Sequence, residues 1–129
     1  MKIALVDDDI DDVLLFRQAI KDINRQIDCV EFENGGDLLN YLFVAPTYPT
    51  MIFLDFNMPG MNGYECLREI RAKQEYNTIP VIIYTTYLSP DQEQKCTRLG
   101  ASVILKPNTY SGLMDAIETK ILEIAVALN

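Results

Sequence analysis

The sequence predicts an α/β domain in which a five-stranded parallel sheet carries helices on both faces. Two observations predict this class. Five short apolar runs alternate with five segments of helical periodicity along the 129 residues, which is typical of βαβ units with right-handed crossovers. The run "MIFL" at residues 51–54 has no polar alternation, which is typical of a strand buried on both faces of a parallel sheet.

The elements follow in order from these runs and from their boundary residues. The predicted strands are residues 3–6, 29–32, 51–54, 81–84 and 103–105, of which the second is the weakest. The predicted helices are residues 12–23, 37–43, 64–72, 90–99 and 110–128. Asn62 and Ser89 are predicted helix N-caps, Pro90 occupies a favoured first-turn position, and Gly100 ends the fourth helix.

Composition and charge indicate one ordinary globular domain that does not bind nucleic acid directly. The chain is 49% hydrophobic and 23% charged, and its length predicts a single domain over residues 1–129 without a second, output domain. The net charge of −8 repels nucleic acid backbones and anionic membranes. Five aspartates crowd the segment "DDDIDD" at residues 7–12, and a cation is the obvious partner to offset their repulsion.

Cysteine usage and the N-terminal segment predict a cytoplasmic protein. Cys29, Cys66 and Cys96 are far apart in sequence and the chain has no histidine, so neither a disulfide framework nor a zinc site is expected. The N-terminal apolar segment is too short for a signal peptide, and no later run is long enough to cross a bilayer.

Polar residues that can carry chemistry follow four of the five predicted strands. They are Asp7 and Asp8 after the first strand, Asp55 after the third, Thr85 after the fourth and Lys106 after the fifth. Because the carboxyl ends of parallel strands lie at one edge of the sheet, where ligands bind in such folds, we expect three carboxylates to converge there.

Converging carboxylates predict a divalent cation. Each close pair of like charges costs roughly 4 kcal/mol at an effective dielectric near 20, and hard oxygen ligands without histidine or thiolate favour Mg²⁺. With Lys106 and Thr85 opposite, the site could hold a phosphoryl group, and Asp55 could act as its nucleophile. Separately, Asp55 could be a turn residue, the acidic cluster could compensate a helix dipole, and Lys106 could be a solvated loop lysine.

Four stretches carry a family resemblance that spans the chain. "LVDDD", "FLDFNMPGMNG", "VIIYTT" and "LKPN" resemble the signature stretches of response regulator receiver domains. The resemblance implies the flavodoxin-like doubly wound sheet with strand order 2-1-3-4-5 and five helices on its two faces.

The resemblance also implies a role for each matched position. Asp55 resembles the phosphoryl acceptor, and the implied Mg²⁺ would be held by Asp8, by Asp7 directly or through its outer shell, by Asp55, and by the backbone carbonyl of Asn57. Thr85 resembles the switch hydroxyl, and Lys106 resembles the lysine that pairs with the phosphoryl group. The Lys106–Pro107 bond is expected to be cis, as the family implies and as X-Pro chemistry permits.

The implied function is that of a phosphorelay response regulator. A sensor histidine kinase or a histidine phosphotransfer protein would donate the phosphoryl group, and the receiver would catalyse its own phosphorylation and dephosphorylation without being an enzyme on other substrates. Output would pass to a protein partner through helix 4, strand 5 and helix 5, and a homodimer is left open. The alternative is a pseudo-receiver that binds proteins without being phosphorylated.

Two further features bear on how such a switch would work. Val103 stands where the family commonly has an aromatic residue, so Tyr84 or Tyr87 could take over coupling. The run "VLLF" at residues 13–16 must point nearly all round a helix axis. We therefore predict that Val13 or Leu14 is exposed and belongs to the surface that docks the donor.

Overall fold

Strands and helices alternate five times in the computed structural model, which describes the backbone of residues 1–128 and the side chains of residues 1–127. The strands are β1 (Lys2–Val6), β2 (Asp28–Phe32), β3 (Met51–Leu54), β4 (Val81–Thr85) and β5 (Ser102–Leu105). The helices are α1 (Ile10–Ile23), α2 (Gly35–Val44), α3 (Gly63–Ala72), α4 (Pro90–Arg98) and α5 (Tyr110–Leu128). Within residues 1–128, none of these helices combines the length and the apolar character needed to cross a membrane.

The five strands form one parallel sheet in the order β2-β1-β3-β4-β5. This order confirms the predicted doubly wound fold class. Because β1 lies between β2 and β3, the chain reverses its direction of winding at β1, and the carboxyl ends of β1 and β3 lie side by side. In open α/β sheets this is the place where ligands bind.

Alternate residues of β3 supply two separate hydrophobic cores. Ile52 and Leu54 belong to the core between the sheet and helices α2, α3 and α4. Met51 and Phe53 belong to the core between the sheet and helices α1 and α5. All four side chains are fully buried, which explains why this strand shows no polar alternation in the sequence.

The predicted caps of α3 and α4 are confirmed, whereas the predicted start of α1 is wrong. Asn62 forms a capping box with Glu65, and Ser89 forms one with Gln92, so each cap satisfies backbone donors that the first helical turn leaves free. Helix α1 begins at Ile10 instead of residue 12, because the Asp9 side chain accepts hydrogen bonds from the N–H groups of residues 11 and 12.

The apolar run of α1 points to both the core and the solvent. Val13 and Phe16 are buried, with 7% and 0% of their surface exposed, whereas Leu14 and Leu15 are 47% and 50% exposed. The prediction that Val13 could belong to a docking surface is therefore wrong, because its side chain packs in the core between the sheet and helices α1 and α5. Leu14 is exposed as expected, and its part in docking stays a prediction.

The cysteines are free thiols, and two of them are buried in the core beneath α3 and α4. Burial raises the pKa of Cys66 to about 12 and the pKa of Cys96 to about 11. Since the thiolate is the reactive form, we expect a thiol-specific reagent at pH 8 to label these two residues only as fast as the protein unfolds. Labelling that is followed by peptide mass mapping checks this, and rapid labelling in the folded protein would contradict it.

Candidate functional site

The carboxyl ends of β1 and β3 bring three aspartates together. Val6 lies opposite Leu54 in the sheet, so Asp7 and Asp55 leave it at the same level. The N–H of Asp55 donates to the carbonyl of Val6 at 2.9 Å, which ties the two strand ends together. Carboxylate oxygens of Asp7, Asp8 and Asp55 all lie within 4.8 Å of one another. Asp7 and Asp55 are buried, and Asp8 is exposed.

Lys106 reaches this cluster from the end of β5. Its N–H donates to the carbonyl of Thr85 at 2.8 Å, which aligns the ends of β4 and β5. Its ammonium lies 2.7 Å from a carboxylate oxygen of Asp7, 2.8 Å from one of Asp12 and 4.0 Å from one of Asp55. The structure therefore brings the predicted lysine into the acidic cluster, with Asp12 as a partner that sequence reasoning missed.

Thr85 and Asn57 close the other side of the site. The Thr85 side chain is fully buried, and its hydroxyl accepts a hydrogen bond from the Asn57 side-chain amide at 3.3 Å. The same amide donates to the carbonyl of Tyr87 at 3.5 Å, while the Asn57 N–H donates to Asp55 at 3.4 Å. Asn57 thus connects the loop after β3 to the loop after β4. A hydrogen bond from the Thr85 hydroxyl to the Asp55 carboxylate is among the influences that lower the pKa of Asp55, although burial outweighs them.

Burial dominates the electrostatics of the two enclosed carboxylates. It raises the pKa of Asp7 and of Asp55 above their ordinary value of 3.8. The positive charge of Lys106 opposes this rise at both residues. Burial alone would lower the pKa of Lys106, but its hydrogen bonds to Asp12 and Asp7 outweigh that effect, so the pKa lies above its ordinary value. Keeping both carboxylates ionised in this buried site therefore costs folding free energy, and a further cation would reduce that cost.

Replacing Asp55 with asparagine should stabilise the protein in the absence of divalent cations. Because the pKa of Asp55 is raised on folding, its ionised form disfavours the folded state above that pKa and has no such effect below the unfolded pKa. We expect Asp55→Asn to raise the free energy of unfolding at pH 7, with the gain vanishing near pH 3. Urea denaturation in EDTA at both pH values measures it, and a loss of stability at pH 7 would contradict it.

The donor set fits Mg²⁺. The three carboxylates supply hard oxygen ligands. The group contains no cysteine, and the chain contains no histidine. Mg²⁺ prefers such ligands and keeps several of its waters, which suits a site where Asp8 is open to solvent. Asp7, Asp8 and Asp55 are the side chains that would hold the ion, and the backbone carbonyl of Asn57 is the further ligand that the family resemblance implies.

Close packing between the start of α3 and the loop after β3 fixes the backbone of the site. The N–H of Gly63 donates to the carbonyl of Phe56 at 2.8 Å. A Cβ atom at position 63 would lie 2.7 Å from the Asp55 carbonyl oxygen and 2.7 Å from the Phe56 Cα atom. Only glycine allows this approach. Gly63 therefore belongs to the site through its small size, a contribution that a search for reactive side chains does not find.

The expected cis bond before Pro107 is wrong. The Lys106–Pro107 peptide bond is trans, which is the isomer that an X-Pro amide favours by about 0.5–1 kcal/mol. The lysine ammonium reaches Asp7 and Asp55 with this isomer.

The two tyrosines considered for coupling occupy different environments. Tyr84 is buried beneath the site, where its ring packs against Phe16 and Phe53 and lies 5.2 Å from the Lys106 ammonium. The Tyr87 side chain is 67% exposed, and the Tyr87 carbonyl accepts the hydrogen bond from the Asn57 side-chain amide. Their role in coupling stays a prediction, as does the consequence of having Val103, half-buried in β5, at the usual aromatic position.

Comparison with protein families agrees with this geometry. The family model of the response regulator receiver domain matches residues 3–118. The chain therefore belongs to the response regulator receiver family, the domains of two-component signalling. The phosphorylated cyanobacterial phytochrome response regulator RcpA has a similar structure, with a TM-score of 0.83 at 27% identity over 92% of this chain and 89% of that one.

Curated relatives include both chemotaxis proteins and longer response regulators. The chemotaxis protein CheY of Pseudomonas aeruginosa is 32% identical over 127 residues, covering 95% of this chain and 97% of the relative. The two-component response regulator ORR6 of Oryza sativa is 30% identical over 108 residues. That match covers 83% of this chain but only 63% of the rice protein.

Proposed function

We propose that this protein is a phosphorylation-dependent response regulator that accepts a phosphoryl group on Asp55. The observation that supports this most is the cluster of side chains in which Asp55 lies among two further carboxylates, one ammonium and one buried hydroxyl. A carboxylate that accepts a phosphoryl group needs cationic partners for the transferred oxygens and a donor opposite them. Lys106 and Thr85 supply these groups.

The transfer itself is a displacement at phosphorus. A carboxylate oxygen of Asp55 would attack the phosphorus of a phosphohistidine, the P–N bond would break with its electron pair returning to the imidazole, and an acyl phosphate would result. Bound Mg²⁺ would neutralise charge on the phosphoryl oxygens. Lys106, 4.0 Å from Asp55, would pair with one of these oxygens. Later attack by water on phosphorus would break the P–O bond to Asp55, release inorganic phosphate and restore the carboxylate.

The new group would act on the structure through Thr85 and Lys106. A phosphoryl group adds negative charge and acceptor oxygens, and both side chains carry donors toward Asp55 from the ends of β4 and β5. Their movement would bias the surface formed by α4, β5 and α5. A shift from 1:99 to 99:1 needs about 5.5 kcal/mol, which two or three charge-assisted hydrogen bonds at roughly 1.5–3 kcal/mol each can supply.

The phosphoryl donor is proposed to be a sensor histidine kinase or a histidine phosphotransfer protein. Membership of the receiver family supports this class of partner. The apolar side chains of Ile10 and Leu14 in α1 are exposed, and Ile10 lines the same pocket as Asp7 and Asp8. These side chains would meet an amphipathic helix of the donor. A downstream protein partner would bind the surface of α4, β5 and α5.

Intact-protein mass spectrometry tests the proposal. The protein is incubated with acetyl phosphate and Mg²⁺, and we expect the mass of one phosphoryl group to be gained. The gain should be absent in EDTA and absent in Asp55→Asn, while Asp9→Asn, which changes the N-cap of α1, should retain it. No gain by a folded protein would contradict the proposal and would favour a pseudo-receiver that binds partners without phosphorylation.

A further inference from the structure

The Lys106 ammonium is held by a carboxylate that the phosphorylation site itself does not require. It lies 2.8 Å from an oxygen of Asp12 in the first turn of α1, and 4.0 Å from Asp55. We propose that Asp12 is a positioning residue that retains Lys106 in its resting place and competes for it with the phosphoryl oxygens on Asp55. This inference rests on the proposed function and adds a residue that sets how readily the switch forms.

The Lys106 ammonium is enclosed and is held by two close carboxylates, Asp7 and Asp12. The side chain is 8% exposed, and its ammonium lies over the buried ring of Tyr84 at 5.2 Å from the ring centre. Asp7 is fully buried and accepts from both Lys106 and the N–H of Asp9, so it is fixed. Asp12 is 30% exposed on the side chain and is the partner whose loss would free the ammonium.

A small cavity lies on the Asp12 side of the lysine. It has a volume of about 140 Å³ and is lined by Asp12, Tyr84, Lys106, Pro107 and Leu113, among others. The ammonium therefore has space between α1 and the start of α5 as well as toward Asp55. Which way it points is decided by the carboxylates that bind it. A charge-assisted hydrogen bond in a partly enclosed site is strong enough to decide this.

Competition makes a directional prediction for a phosphoryl analogue. When an anionic group occupies Asp55, Lys106 must leave Asp12 to contact it, and the lost hydrogen bond opposes binding. Removing the Asp12 charge should therefore favour the bound state. Asp7 still binds the lysine when Asp12 is replaced, so the substitution removes only part of one hydrogen bond. We therefore expect the affinity for the phosphoryl analogue to change by about 3- to 10-fold.

The first test uses the metal-free protein and does not depend on phosphorylation. Asp12→Asn should shift the NMR resonances of the Lys106 ε-methylene group, whereas Asp11→Asn should leave them in place. Asp11 is the matched control, because it carries the same charge in the same helical turn but is exposed. Unchanged Lys106 resonances in Asp12→Asn would overturn the proposal.

The second test measures the apparent affinity for beryllofluoride in the presence of Mg²⁺ by titration followed by NMR. Asp12→Asn should bind about 3- to 10-fold more tightly than the parent protein, and Asp11→Asn should change less than 2-fold. An equal change in both variants, or weaker binding by Asp12→Asn, would overturn the role of Asp12. Failure of the parent protein to bind would instead contradict the proposed function, and the first test would still judge the contact between Asp12 and Lys106.

Discussion

Replacing Lys106 with methionine should lower the free energy of unfolding of the metal-free protein by about 3 kcal/mol. The reason is the burial of its partner. Asp7 has no exposed side-chain surface and accepts from the Lys106 ammonium at 2.7 Å. Loss of the ammonium leaves a buried carboxylate beside Asp55 without its cation, and breaking a buried pair by removing one member is strongly destabilising. Urea denaturation at pH 7 in EDTA measures this change.

Two variants separate the charge effect from simple loss of packing. Adding Asp7→Asn to Lys106→Met removes the uncompensated charge and should recover most of the lost stability. Lys21→Met, in the last turn of α1 and exposed, should change stability by no more than about 0.5 kcal/mol. Equal destabilisation by the single and double variants would show that the carboxylate of Asp7 does not depend on the lysine.

Introducing a single methyl group at position 63 should displace the backbone of Asp55 and Phe56 in the loop that follows β3. The Cβ atom of Gly63→Ala would lie 2.7 Å from the Asp55 carbonyl oxygen and 2.7 Å from the Phe56 Cα atom, both of which are backbone atoms that cannot rotate away. We expect a loss of about 2 kcal/mol in the free energy of unfolding. We also expect roughly tenfold slower phosphoryl uptake, because small displacements of a reacting group cost much of its rate.

Gly36→Ala is the matched control for this substitution. Gly36 also lies in the first turn of a helix, and a Cβ atom there would have only the Asn34 side-chain oxygen near it, at 3.4 Å. Alanine favours helix over glycine by about 1 kcal/mol, so this variant should be neutral or slightly stabilised. Thermal unfolding and phosphorylation kinetics on both variants provide the comparison. Normal stability and uptake in Gly63→Ala would contradict the close-packing argument.

The fold was predictable because each element left a local signal. The strand at Met51–Leu54 is buried on both faces, so its composition is apolar without interruption, and the caps at Asn62 and Ser89 act through hydrogen bonds within three residues. The start of α1 was harder to place. Asp9 is one of several neighbouring aspartates, and the sequence does not distinguish the one whose side chain caps the helix.

The site was predictable only as far as strand ends determine it. Topology alone brings Asp7, Asp55 and Lys106 to one edge of the sheet. The contact between Asp12 and Lys106 joins residues 94 positions apart, and it depends on how α1 packs beside the end of β5, which no local pattern reveals. The close approach of Gly63 likewise depends on tertiary packing, and the X-Pro isomer is a small energetic preference that the sequence leaves open.

Chemical mapping of the phosphoryl group tests the central proposal most directly. The protein is treated with acetyl phosphate and Mg²⁺, reduced with borohydride, which converts an aspartyl phosphate to homoserine, and digested for peptide sequencing by mass spectrometry. If Asp55, which lies beside Asp7, Asp8 and Lys106, is the acceptor, homoserine should appear at position 55 and at no other aspartate. Homoserine at Asp7, Asp8 or another position, or at none in a folded protein, would contradict it.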